Sequence, residues 1–104
     1  MGPPGDLPGF IEERLRGYLS RDRTGIRHAL LSLFVASRTL TIPLVYHELS
    51  DGYPASYHSV ASMVGMLASR IGILRVRRNE KGTGSVYELR EQYLDLVTRV
   101  MTTG

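Results

Sequence analysis

The chain contains no cysteine. That excludes a disulfide scaffold, a thiol nucleophile, a Cys-ligated zinc and an iron–sulfur cluster. It also fits a reducing compartment, and the cytoplasm is the expected location. No run approaches the ~18 apolar residues needed for a membrane-spanning helix, so no membrane role is expected. The opening MGPPGDLPGF has no basic stretch followed by an apolar one, so it does not read as a secretory signal. Metal-binding strings are missing too. His28, His47 and His58 never pair at i, i+4, and neither HxH nor HExxH occurs. Neither GxSxG nor a phosphate-binding P-loop is present, and the carboxylates are scattered. The expectation is therefore a protein that is not an enzyme and needs no metal or other cofactor.

What remains is an ordinary globular composition over 104 residues, 42% hydrophobic and 22% charged, enough for one domain. No internal repeat or long linker divides it. The net charge of +3 is unevenly placed. Residues 1–55 balance six arginines against six acids. Residues 56–90 carry Arg70, Arg75, Arg77, Arg78, Lys81 and Arg90 against Glu80 and Glu88, an excess of +4. Lys81 is the single lysine, and guanidinium groups suit bidentate phosphate contacts. A local cationic excess points to a polyanionic partner.

Apolar periodicity predicts the elements. Residues 1–5, rich in Pro and Gly, are expected to fray. Asp6 is a cap candidate for a helix over about 7–20, with Pro8 in its first turn. Ile26, Ala29, Leu30, Leu33 and Phe34 form a stripe on a second helix, about 25–37, for which Thr24 is the cap candidate. Leu31 and Val35 lie off that stripe, so this helix is expected between other elements, with the first helix on its second face. A short β-prone stretch, Leu40–Ile42, precedes a short helix, 43–50, opened by Pro43. Ser56 caps a helix over about 57–71, with Val60, Val64, Leu67 and Ile71 inward and Gly72 ending it. Ile73–Arg77 then alternates, Leu74 and Val76 on one side and Arg75 and Arg77 on the other. With Ser85–Leu89 it makes a β-hairpin whose tip is 79–84. A last amphipathic helix spans about 91–102.

From Thr24 to Leu89 this order resembles a winged helix-turn-helix domain. The segments that carry the resemblance are RHALLSLF, PLVYHEL, SVASMVGML, the IGIL step, RVRRNEKGTGS in the position of the wing, and the return strand VYEL. The whole sequence also resembles small uncharacterised winged-helix proteins of methanogenic archaea. The resemblance implies an α+β fold: a three-helix core with a β-hairpin wing over 24–90, and extra helices at both ends of a single domain, 1–104. It implies double-stranded DNA as partner and a transcriptional regulator as function. The connection Ser50–Ala55 is longer than the turn of a simple helix-turn-helix.

The resemblance maps DNA contacts onto two segments. One is the start of the fourth helix: Ser56, Tyr57, His58, Ser59 and Ser62, small or hydrogen-bonding groups at a helix N-terminus. This segment has no Arg, Asn or Gln, the usual readers of guanine and adenine. Its bland alternative is ordinary capping by Ser56 and Ser59, with Tyr57 packed on the preceding turn. The other segment is the wing: Arg75, Arg77, Arg78 and Lys81, able to follow a phosphate backbone. Its bland alternative is a solvated strand face whose charges protect a sheet edge. A protein–protein interaction module of the same fold is the alternative function, with RNA binding as a third. The stripes Leu7, Ile11, Leu15 and Leu94, Val97, Met101 on the end helices exceed what one face of the second helix can cover. They suggest a homodimer; mutual packing within a monomer is the alternative.

Overall fold

The computed structural model describes residues 7–78 and 84–103. Asp6, the hairpin tip 79–83 with Lys81, and the side chain of Leu7 lie outside what is described. The order of elements is α1 (Leu7–Ser20), α2 (Ile26–Ser37), β1 (Thr39–Thr41), α3 (Ile42–Ser50), α4 (Tyr57–Met66), a π-helical turn (Leu67–Ile71), β2 (Leu74–Arg78), β3 (Ser85–Leu89), a 3-10 turn (Glu91–Tyr93) and α5 (Leu94–Thr103). The class is α+β. The sheet has three antiparallel strands in the order β1-β3-β2.

α2 sits centrally because it is apolar on more than one side. Leu30, Leu31 and Phe34 are fully buried, including the off-stripe Leu31. α2 touches α1, α3, α5, β1 and β3. Its start corrects the expected Thr24 cap. Thr24 Oγ1 accepts only the Ile26 N–H, at 3.4 Å. The Asp22 carboxylate accepts the N–H groups of Gly25, Arg27 and His28 at 3.1, 3.2 and 3.1 Å. A charged acceptor satisfies several free N–H groups of a helix start at once and complements its dipole. Gly25 bends the chain into the helix at φ 90°, a conformation that costs a side-chain-bearing residue energy.

α3 begins at Ile42, one residue earlier than expected, because Thr41 caps it by accepting the Leu44 N–H; Pro43 lies in the first turn. β1 is correspondingly Thr39–Thr41. α4 is capped as expected, Ser56 Oγ accepting the Ser59 N–H at 3.0 Å. It does not run as one α-helix to residue 71. After Met66 it widens into the π turn. Gly72 (φ 84°) closes that turn, and the N–H groups of Gly72 and Ile73 both reach the Leu67 carbonyl, at 2.9 and 3.0 Å. Val60, Val64, Leu67 and Ile71 nevertheless share the buried face. Arg14 Nη1 of α1 donates to the Arg70 carbonyl at 3.0 Å, so the looser turn keeps a hydrogen-bond partner.

The hairpin leaves the core as it rises. At its base Leu74 and Leu89 face each other and are buried. Val76, on the same side of the strand as Leu74, is half exposed opposite Tyr87. α5 starts at Leu94 rather than 91, after the 3-10 turn. It buries Leu96, Val97 and Val100, while Leu94 and Met101 are only partly covered. α1 and α5 pack on each other within the chain, with Ile11 and Leu15 buried there. The Glu12 carboxylate joins them, accepting from Arg16 at 2.9 Å and from Arg99 at 3.0 Å. The hydrogen bonds from Arg16 and then Arg99 hold its pKa below the usual carboxylate value. Part of the apolar surface that suggested a homodimer is thus used inside one chain.

Candidate nucleic-acid interface

Ser56, Tyr57, His58, Ser59 and Ser62 are all exposed. Their inward neighbours Val60 and Val64 fix the phase of α4, so His58, Ser59 and Ser62 face away from the core. Ser56 is committed to its capping bond. Tyr57 packs edge-on against Tyr46 of α3, ring centroids 5.5 Å apart, and keeps nearly half its surface exposed. The ordinary capping role is therefore present for Ser56, while the ring contact of Tyr57 is with α3. His58, Ser59 and Ser62 keep side chains that no other described group engages.

On the hairpin, Arg75, Arg77 and Arg78 are exposed. Arg75 and Arg77 share a face, and Glu88 lies directly opposite Arg75 on β3. Glu88 reaches Arg77 Nε at 3.6 Å. One carboxylate thus sits among the two guanidinium groups and lowers the charge of that face. Arg78 projects from the other face of the strand. The two expected segments lie at opposite ends of one continuous run, α4 then the π turn then β2.

The structure adds cations that charge counting missed. Arg21, Asp22, Arg23 and Arg27, from the end of α1 through the start of α2, line a groove with the cap residue Ser56 and with Ser59 and Met63 of α4; its volume is ≈ 360 Å³. Arg27 is engaged: its Nη1 donates to the Tyr18 carbonyl at 2.8 Å, and its guanidinium lies 4.5 Å from the Tyr18 ring centre. Arg21 and Arg23 meet no carboxylate among the described residues. Residues 1–55 sum to zero charge, yet Glu12 is engaged by Arg16 and Arg99, and Asp22, which also lines this groove, turns its carboxylate to the N–H groups at the start of α2. Segment sums cannot register this, because pairing is decided in three dimensions.

Among the described residues no three His, Asp or Glu side chains converge as a metal site would require. No described helix is long and apolar enough to cross a membrane.

Comparison with known proteins gives two matches. A family described as "Protein of unknown function (DUF2551)" matches residues 15–97. A protein of Archaeoglobus fulgidus, described as "Uncharacterized protein", is 37% identical over 96 residues, covering 91% of this chain and 96% of its own length. No solved structure matches the chain significantly.

Proposed function

The chain belongs to the DUF2551 family, and for it we propose a winged-helix-like domain that binds double-stranded DNA, as a transcriptional regulator does. The observation that carries this reading is the pairing of an uncommitted polar helix face with unpaired arginines. His58, Ser59 and Ser62 offer hydrogen-bonding groups along the first two turns of α4. Arg21 and Arg23 border the same helix end across the groove. Phosphate contacts from such arginines would position α4 on a duplex, and its short polar side chains would meet the groove. The hairpin arginines would add further backbone contacts.

Affinity on this reading comes mainly from phosphates, since the strongest base readers are missing from α4. A protein-docking module is the competing function. Among the described residues the large exposed apolar side chains, Phe10, Leu44, Tyr57 and Val76, stand one each on α1, α3, α4 and β2 and not as a stripe along one element, which favours the DNA reading. A homodimer through α1 and α5 would add a second α4, but it would have to form with Ile11, Leu15 and Val97 already buried within the chain.

Ser62→Glu tests the reading. Ser62 is exposed on the second turn of α4, and Glu is at least as good a helix former as Ser, so the fold should be kept. A carboxylate placed against phosphates repels them, at a cost that can reach several kcal/mol. Fluorescence anisotropy with a labelled duplex is expected to show binding weakened by at least about tenfold, equivalent to ~1.4 kcal/mol. Equal binding by a folded variant would remove α4 from the interface.

A further inference from the structure

A second cleft opens between α1 and the end of α4. It has a volume of ≈ 490 Å³ and is lined by Arg14, Gly17, Tyr18 and Arg21 of one helix and by Met66, Arg70 and Ile71 of the other. On α1 the four residues recur at i, i+3, i+4 and i+7, one face of a helix. On the opposite wall the π turn turns Arg70 outward while Ile71 stays buried. Three guanidinium groups therefore meet at one concavity, and no carboxylate lines it. Arg14 gives one N–H to the Arg70 carbonyl and keeps its others. Arg21 and Arg70 make no ion pair among the described residues.

Tyr18 lines the same cleft, but its hydroxyl is sealed from it. Its side chain is 3% exposed, and its hydroxyl is the buried side-chain polar atom left without a partner among the described residues. Burial pushes this hydroxyl's pKa up, so it stays a proton donor at neutral pH.

We propose that this cleft binds a phosphate ester, held by Arg14, Arg21 and Arg70. Guanidinium forks match phosphate oxygens in pairs, which favours phosphate over a single carboxylate. The volume exceeds what bare phosphate needs and falls in the range of small-ligand pockets. The shared chemistry has two sources, a free phosphorylated ligand or the backbone of a duplex lying along α4. The site shares Arg21 with the groove beside the start of α4, but it needs neither His58, Ser62 nor the hairpin.

The test titrates the full chain with inorganic pyrophosphate and, separately, with a short duplex, following backbone and arginine Nε–H shifts by NMR. The variants are Arg21→Ala with Arg70→Ala, both exposed and outside the core, and Tyr18→Phe. Saturable shifts centred on residues 14–21 and 66–71 are expected. The double variant should weaken them by about tenfold or more, the loss expected from removing charge-assisted contacts. Tyr18→Phe, which removes only a hydroxyl sealed from the cleft, should bind as the parent does and serves as the control. Shifts with pyrophosphate assign the site to a free ligand; shifts with duplex alone assign it to a nucleic-acid backbone. The proposal is overturned if neither probe moves these residues, or if the double variant responds as the parent does. Pyrophosphate binding without duplex binding would sustain the cleft and defeat the DNA reading. Duplex shifts confined to α4 and the hairpin, with no response to pyrophosphate, would do the reverse.

Discussion

Leu67→Ala is expected to destabilise the protein by about 2–5 kcal/mol, the range for cavities left at buried leucines. Leu67 is fully buried at the point where α4 gives way to the π turn. Its carbonyl also receives the two N–H groups that close that turn, so the residue serves both the core and the change of direction into β2. Truncation would leave a void beside Val64 and Ile71, and the turn that would have to collapse into it is already held by Gly72 and by the Arg14 bond. Partial relaxation is then expected, which favours the upper part of the range. Urea unfolding followed by circular dichroism measures it. A loss below about 1 kcal/mol would mean that the site repacks freely and that the assigned phase of α4 is wrong.

The second large effect concerns the hairpin. Arg77→Ala combined with Arg78→Ala is expected to weaken duplex binding to a similar degree on unrelated sequences, since phosphate contacts carry no sequence information. The slope of log affinity against log salt should become shallower by roughly one to two, at about 0.9 per phosphate lost. Glu88 competes for Arg77 at 3.6 Å, so the lower end of that range is favoured. Both side chains are exposed, and the fold should not change. Titrations of parent and variant at several salt concentrations decide it. Unchanged affinity and slope would leave the hairpin arginines as protection of a strand edge.

Much of the fold was legible in the sequence because local pattern and tertiary demand agree there. Val60, Val64, Leu67 and Ile71 are spaced as one helical face and are buried as one. Ser56 has the position and the chemistry of a cap, and it caps. The off-stripe Leu31 signalled a central helix, and it is fully buried. The failures share a cause: they depend on partners distant in the chain. The π turn keeps the same apolar spacing as an α-helix, so periodicity cannot reveal it; its spare carbonyl is satisfied by Arg14, 56 residues away. Val76 shares a side of the strand with Leu74 yet is half exposed. Arg38 adopts φ 67°, a strained conformation for a non-glycine, because its carbonyl must accept the Leu89 N–H at 2.8 Å. Nothing around Arg38 in the chain announces that.

The candidate site divides the same way. The polar start of α4 and the hairpin arginines could be read from their segments. The arginines around the α4 grooves could not, because Arg14, Arg21 and Arg23 share their stretch with acids whose carboxylates the fold engages, Glu12 by Arg16 and Arg99 and Asp22 by backbone N–H groups. The apolar stripes of α1 and α5 meet within the chain, where Ile11, Leu15 and Val97 are buried while Leu94 and Met101 are only partly covered.

The most direct measurement is the affinity of the unmodified chain for a random-sequence duplex across salt concentrations. With contacts from the α4 grooves and the hairpin together, three to five phosphates would be engaged. The slope of log affinity against log salt is then expected at roughly −3 to −5, near 0.9 for each phosphate. Binding that is absent at low salt, or affinity that holds steady as salt rises, would contradict a phosphate-driven interface and shift the function to protein docking.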